Sequence, residues 1–282
     1  MYDSNTIITF CATIRNCGKF LPFIFQNIDR VSSEWIIKCI FVYDNCSDNT
    51  QELLVDYKNK SNHHVLLYEL KENNSSLRTV RISNGRNKCL EILEQENDSD
   101  IFIMIDADNV NANPWNIDII NYYLKENTDW DMMSFNKDPY YDIWALSIDD
   151  YSHHVWGFGK SSPQLVQYMK RYMKVKLSIC EEDSVSCKSA FNGFALYKSN
   201  RFKHIRYDGT FSKFIKENLV TEEERQSCLE KYRKFLKDPT IIIKQCELPF
   251  LSSEEHCEHL YFHQKAIKEN HCKIKISKFS IG

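Results

Sequence analysis

The stretch IFIMIDADNVNANPW, Ile101 to Trp115, sets Asp106 and Asp108 one residue apart at the end of an apolar run. A chain that turns at that point can aim both carboxylates at one cation. Hard oxygen ligands suit Mg²⁺ or Mn²⁺, which bind through one or two carboxylates and complete their shells with water and substrate phosphates. Such an ion neutralises a diphosphate as it departs. A solvated polar turn after a buried strand would read the same way, so the pair alone decides nothing.

A second group is aromatic. PYYDIWALSIDDYSHHVWGF carries Tyr140, Tyr141, Trp144, Tyr151 and Trp156 within a short span. Aromatic faces stack on sugar rings, and core packing explains them equally well.

The elements that must position these residues follow an alternating pattern. TIITFCATI (Thr6–Ile14) is a continuous apolar run, the mark of a strand covered on both faces; WIIKCIFVYD (Trp35–Asp44) reads as a second buried strand, and HHVLLYEL and SDIFIMIDAD as a third and fourth. Between them lie segments of helical spacing, NCGKFLPFIFQNIDRV, SDNTQELLVDYKNK and RTVRISNGRNKCLEILEQEN. Asp48 reads as a helix cap. This alternation predicts an α/β fold with a mostly parallel central sheet and helices on both faces. Ligands of such sheets gather beyond the carboxyl ends of the strands, where Asp44 and Asp106 both sit. Past residue 127 the rhythm weakens. DWDMMSFN, SAFNGFALYK and TIIIKQCELPF read as strands, and QLVQYMKRYMKVK, EEERQSCLEKYRKFLK and EEHCEHLYFHQKAIKEN as helices. Without a Gly/Ser linker or a repeat, residues 1–282 form one domain.

With 282 residues the chain has ample length for a sizeable core. Net charge is −3 with no long basic run, which argues against nucleic acid as a partner. No apolar run approaches the roughly 20 residues that span a bilayer, and no secretory signal is visible, so the expected location is cytoplasmic. Eleven scattered cysteines without a CxxC pair read as reduced thiols rather than a disulfide framework or a structural zinc site.

Taken in order, TIITFCATIRN, CIFVYDNCSDNT, RISNGRNKCL and IFIMIDADN resemble nucleotide-sugar glycosyltransferases of the GT-A (Rossmann-like) fold. YDNCSDNT is similar to the Asp-x-x-Ser-x-Asp-x-Thr segment of family 2 enzymes, and IDADNVNANP to a stretch of collagen galactosyltransferases. YDIWAL is similar, more weakly, to viral and capsule-type transferases. The resemblance implies a nucleotide-sugar-binding half over about 5–125 and an acceptor-binding half over about 126–282. It places Thr13, Arg15 and Asp44 near base and ribose, Arg86 near base or diphosphate, Asp106 at ribose or metal, and Asp108 on the metal. The implied partners are a nucleoside-diphosphate sugar, UDP favoured and GDP possible, and a glycan, glycolipid or protein acceptor touched by Asp142, Trp144 and Trp156.

An inverting transferase needs a carboxylate to take the acceptor's proton. CEEDSVS offers Glu181, Glu182 and Asp183, and SSEEHCEHLYFH offers Glu254, Glu255 and Glu258. The family heads the corresponding helix with an acidic dipeptide. Here its second member is His259, which points to Glu258 as base. His259 and His263, four residues apart and so on one helix face, are candidate further metal ligands. Two other readings stay open. Asp106-x-Asp108-x-Val110 matches the nucleophile motif of haloacid-dehalogenase-type phosphatases, and a catalytically silent sugar-binding module would keep only the aromatic cleft.

Overall fold

In the first, second and fourth strands burial is nearly continuous, alternate residues entering the cores on opposite faces of the sheet. The computed structural model describes residues 2–149, 163–210, 212, 214, 215, 226, 227, 230 and 255–282. Four parallel strands, β1 (Ile7–Ile14), β2 (Ile36–Tyr43), β3 (His64–Glu69) and β4 (Ile101–Asp106), match the four expected strands. Ile8, Phe10 and Ala12 of β1 pack with Ile103 and Ile105 under helices α1 (Leu21–Val31), α2 (Thr50–Lys60) and α4 (Ile117–Lys125). Cys11, Val42, Phe102 and Met104 face the other way, under α3 (Arg78–Glu96) and α6 (Glu258–Asn270). Both faces of β1, β2 and β4 are therefore dry, which explains why these three strands read as largely apolar runs.

The second half completes the sheet with β5 (Met132–Asn136), β6 (Ser184–Cys187), β7 (Phe194–Lys198) and β8 (Ile274–Ser280), in the order β3-β2-β1-β4-β7-β5-β8-β6. β7 runs antiparallel to β4 and β5, and β6 antiparallel to β8. The sheet is thus mixed but mostly parallel. Helix α5 (Pro163–Ser178) covers a smaller apolar cluster around Tyr140, Ile143, Met169 and Met173. The charged helix and the strand expected over EEERQSCLEKYRKFLK and TIIIKQCELPF lie largely or wholly outside the described residues. The cysteines among the described residues are free, and no helix among them is long and apolar enough to cross a membrane.

The order of the first four strands sets the site. From β1 the chain steps outward to β2 and β3, then returns to β4 on the other side of β1. The crevice beyond β1 and β4 is where such a reversal opens space for a ligand. Thr13 pairs in register with Asp106 across it.

Candidate active site

A cleft of about 790 Å³ opens at that crevice, within the range of small-molecule sites. Asp44, Asp106, Asp108, Asp142 and Glu258 line it, together with Arg15, Arg78, Arg81, Arg86 and Lys170. Thr13, Trp144 and His259 also reach it. One described residue expected at the site, His263, does not appear in the lining. It lies in the core, and Trp156 falls outside the described residues, as do Tyr151, Asp150 and Glu254.

The two aspartates are held by their loop. The Asn111 side-chain amide donates to the backbone carbonyls of Asp106 (2.8 Å) and Gly193 (2.7 Å). Gly193 O also accepts the Asp106 N–H at 2.9 Å. Gly193 has φ +83°, and a Cβ there would lie 2.5 Å from Val110 Cγ1, so the close approach of β7 to this loop requires glycine. Buried Asn27 of α1 fixes the far end of the loop, donating to Asn113 O (2.8 Å) and accepting from Trp115 N (3.0 Å). Asp108 Oδ1 accepts from Val110 N at 2.9 Å and starts a short 3₁₀ turn, Asn109–Asn111.

Arg86 is the centre of the site's electrostatics. It is 3% exposed. Helix α3 can bring it there because Gly85 lies against Thr13, where a Cβ would sit 2.0 Å from Oγ1. One guanidinium nitrogen donates to Asp106 Oδ1 at 2.8 Å, and the other donates to Glu258 Oε1 and to His259 Nε2. Phe191 and Tyr207 lie against the guanidinium, their ring centroids at 4.8 and 5.6 Å from its carbon. Burial pushes Asp106 up to about 7, and Asp108, Asp142 and Glu258 add to that rise against the pull of Arg86.

Several expected roles change here. Glu258 is 5% exposed and tied to Arg86, so it is not the free proton acceptor that its place at a helix head suggests. The histidines share one face of α6, as their spacing predicts, but that face points into the core. His263 accepts or donates at both nitrogens, to Ser189 Oγ (2.8 Å) and Tyr197 Oη (3.0 Å). Burial and Arg86 push it down to about 3, so it is neutral. His259 stacks on Phe191 with centroids 3.8 Å apart. Its Nε2 accepts from Arg86, which leaves the proton on a buried, unpartnered Nδ1. Neither ring offers a lone pair to the cleft, which removes both from the expected metal set. Among the described residues no three His, Cys, Asp or Glu side chains group to hold an ion.

Asp142 is better placed than its sequence context suggested. Asn192 Oδ1 accepts the backbone N–H groups of Tyr141 (3.1 Å) and Asp142 (2.8 Å), and Asn192 Nδ2 donates to Phe135 O at 2.9 Å. The Asn192–Gly193 corner therefore sets the Asp142 loop and the Asp106 loop together. Asp142 Oδ1 accepts from Ala145 N at 3.1 Å. Burial, with Glu258 nearby, pushes it up to about 6.

At the opposite end, Asp44 is buried and accepts from Asn73 Nδ2 at 2.8 Å. Asn73 was not singled out from sequence, and nothing local marks it. Asp48 was expected to cap α2 but stands one residue before the N-cap Asn49, its two oxygens accepting from Thr50 N (3.1 Å) and Gly18 N (3.0 Å). Asp183 pairs with Lys278 and bonds Tyr122, outside the cleft lining.

No protein-family model matches the chain, and no curated protein matches it. Among solved structures it is similar to S. aureus TarS in complex with UDP, at 13% identity over 79% of this chain and 54% of that one, with a TM-score of 0.42. It is also similar to glucosyl-3-phosphoglycerate synthase from Mycobacterium tuberculosis in complex with Mn²⁺, UDP and glucosyl-3-phosphoglycerate. That match has 10% identity over 70% of this chain and 58% of the other, with a TM-score of 0.38. Both are glycosyltransferases of the GT-A type. The chain spans little more than half the length of these two structures.

Proposed function

We propose that this protein transfers a sugar from a nucleoside-diphosphate donor, UDP favoured, to a hydroxyl acceptor. One observation carries the reading: the crevice gathers Asp44 from the end of β2 and Asp106 and Asp108 from the end of β4 into one cleft that also holds cations on its other walls. The nucleoside would lie toward Asp44 and Thr13, the sugar and acceptor toward Asp142 and Trp144.

The donor set fits a hard divalent ion. Asp106 and Asp108 each commit Oδ1 to a protein donor and leave Oδ2 without a hydrogen-bond partner among the described residues, and the crowding that raises Asp106 is the field a cation relieves. Asp106 and Asp108 would hold Mn²⁺ or Mg²⁺, with water and the donor's phosphates supplying the remaining ligands. When bound, the ion stabilises negative charge on the leaving diphosphate.

The chain's own residues supply the proton transfer. Among the cleft's carboxylates, Asp106 and Glu258 are paired with Arg86, Asp44 lies at the nucleoside end, and Asp108 starts the metal loop. Asp142 remains, half-buried and without a bonded cation among the described residues, on the second-half wall. It takes the proton of the acceptor hydroxyl as that oxygen attacks the anomeric carbon and the bond to the diphosphate oxygen breaks. Attack opposite the leaving group inverts the anomeric centre. Arg86 acts through Asp106 and Glu258, keeping both paired in a dry setting.

A donor-hydrolysis screen tests the reading. With Mn²⁺ and a panel of UDP- and GDP-sugars, slow metal-dependent release of nucleotide is expected from one donor or a small set. Release from none, together with hydrolysis of p-nitrophenyl phosphate, would favour the phosphatase alternative.

A further inference from the structure

A nucleoside-diphosphate donor brings several negative charges into the cleft, and the sequence reading gave part of that load to Arg86. The geometry leaves only the buried Nε–H of Arg86 without a partner among the described residues. Both terminal nitrogens are occupied by Asp106, Glu258 and His259, and the side chain is sealed between aromatic rings. Turning the guanidinium toward a phosphate would strand two acids in a buried site.

Other cations in the cleft are unspent. Arg15 leaves the end of β1 and is exposed, Arg78 opens α3 and is exposed, and Lys170 on α5 is half-buried. None of the three forms an ion pair among the described residues. Arg81 differs, since its guanidinium donates to the carbonyls of Ser75 and Ser76 and is pinned to the loop before α3. The start of α3 is already met by an acid, since Glu255 Oε1 accepts the Arg78 backbone N–H at 2.6 Å. The helix's own first turn holds Arg78 and Arg81 and no acid, although a helix N-terminus disfavours cations.

We propose that the donor's diphosphate is held by Arg15, Arg78 and Lys170, and that Arg86 is a positioning residue rather than a phosphate ligand. The assignment rests on the nucleotide-sugar reading above. Arginine forks match phosphate oxygens in pairs, and a lysine ammonium adds a mobile point charge. Because Lys170 comes from α5 and the arginines from β1 and α3, the diphosphate is gripped from both halves of the chain.

Calorimetry on the full chain with Mn²⁺ separates the possibilities, titrating UDP, GDP, uridine and guanosine. The wild type should bind one diphosphate at least tenfold more tightly than its nucleoside. Arg78→Ala and Lys170→Ala should each weaken that diphosphate by about tenfold, with nucleoside affinity within about twofold of wild type. Lys170→Glu should weaken it further. Preference for the diphosphate that survives in Arg15→Ala, Arg78→Ala and Lys170→Ala alike would overturn the assignment while leaving the nucleotide reading intact. A wild type that binds neither diphosphate would overturn the nucleotide reading itself. These side chains are largely solvent-facing, so their removal should leave the thermal midpoint close to wild type.

Discussion

Arg86→Met should cost about 3–5 kcal/mol of folding stability, measured by urea unfolding of the metal-free protein. The size follows from what the substitution strands. Arg86 and Glu258 are both almost fully buried, with side-chain exposures of 4% and 7%, and Asp106 retains only 27%. Removing the guanidinium leaves Glu258 and Asp106 facing each other's field without a counter-charge, and His259 Nε2 loses its donor. Arg86→Lys keeps a charge but not the fork that reaches Asp106 and Glu258 at once, so it should fall between wild type and Arg86→Met. Adding Glu258→Leu to Arg86→Met should recover part of the loss, because an apolar pair replaces a broken ionic one. A loss below about 1 kcal/mol for Arg86→Met would show that the cluster is wetter and weaker than its burial indicates.

Asp142→Asn should lower turnover of the donor by about 10²–10⁴-fold while leaving UDP affinity near wild type. Asparagine preserves the shape and the acceptor oxygen that Ala145 N–H uses, so the loop held by Asn192 should remain in place. What is lost is basicity. Burial pushes Asp142 up to about 6, and only its ionised form accepts a proton. The wild-type rate should therefore climb about tenfold per pH unit below 6 and level off above it, and that acid limb should vanish in Asp142→Asn. Near-wild-type turnover in Asp142→Asn, combined with a large rate loss in Glu258→Gln at unchanged stability, would return the base to Glu258.

The parts of this picture legible in sequence are those with local causes. Strands β1, β2 and β4 are buried on both faces, so most residues along them are apolar and the run is visible without a partner, whereas edge strand β3 buries only Val65. Asp44 and Asp106 could be placed at strand ends for the same reason. The spacing of His259 and His263 correctly put them on one face of α6. It could not say that Ser189 and Tyr197 wait on that face, since both lie more than 60 residues away in the chain.

Long-range pairing hides the rest. The bond between Arg86 and Glu258 spans 172 residues, and neither residue carries a local mark of it. Asp142 owes its position to Asn192, 50 residues on. Helix α4 and strand β8 were not assigned from sequence. In β8 the polar Lys275, Ser277 and Lys278 interrupt the apolar Ile274 and Ile276, so no continuous run appears. Helix α4 has only nine residues, and Asp118 and Asn121 dilute its spacing of Ile117, Ile120 and Leu124.

The most direct test is titration of UDP into the wild type and Asp108→Asn, each with Mn²⁺ and with EDTA. Asparagine keeps the oxygen that starts the 3₁₀ turn at Val110 but removes the charge, so the loop survives and the ion does not. The account predicts wild-type binding that depends on Mn²⁺ and disappears in Asp108→Asn at every metal concentration up to about tenfold above the wild-type requirement. Wild-type protein that ignores UDP at millimolar concentration with metal present, or Asp108→Asn that binds it as well as wild type, would contradict it.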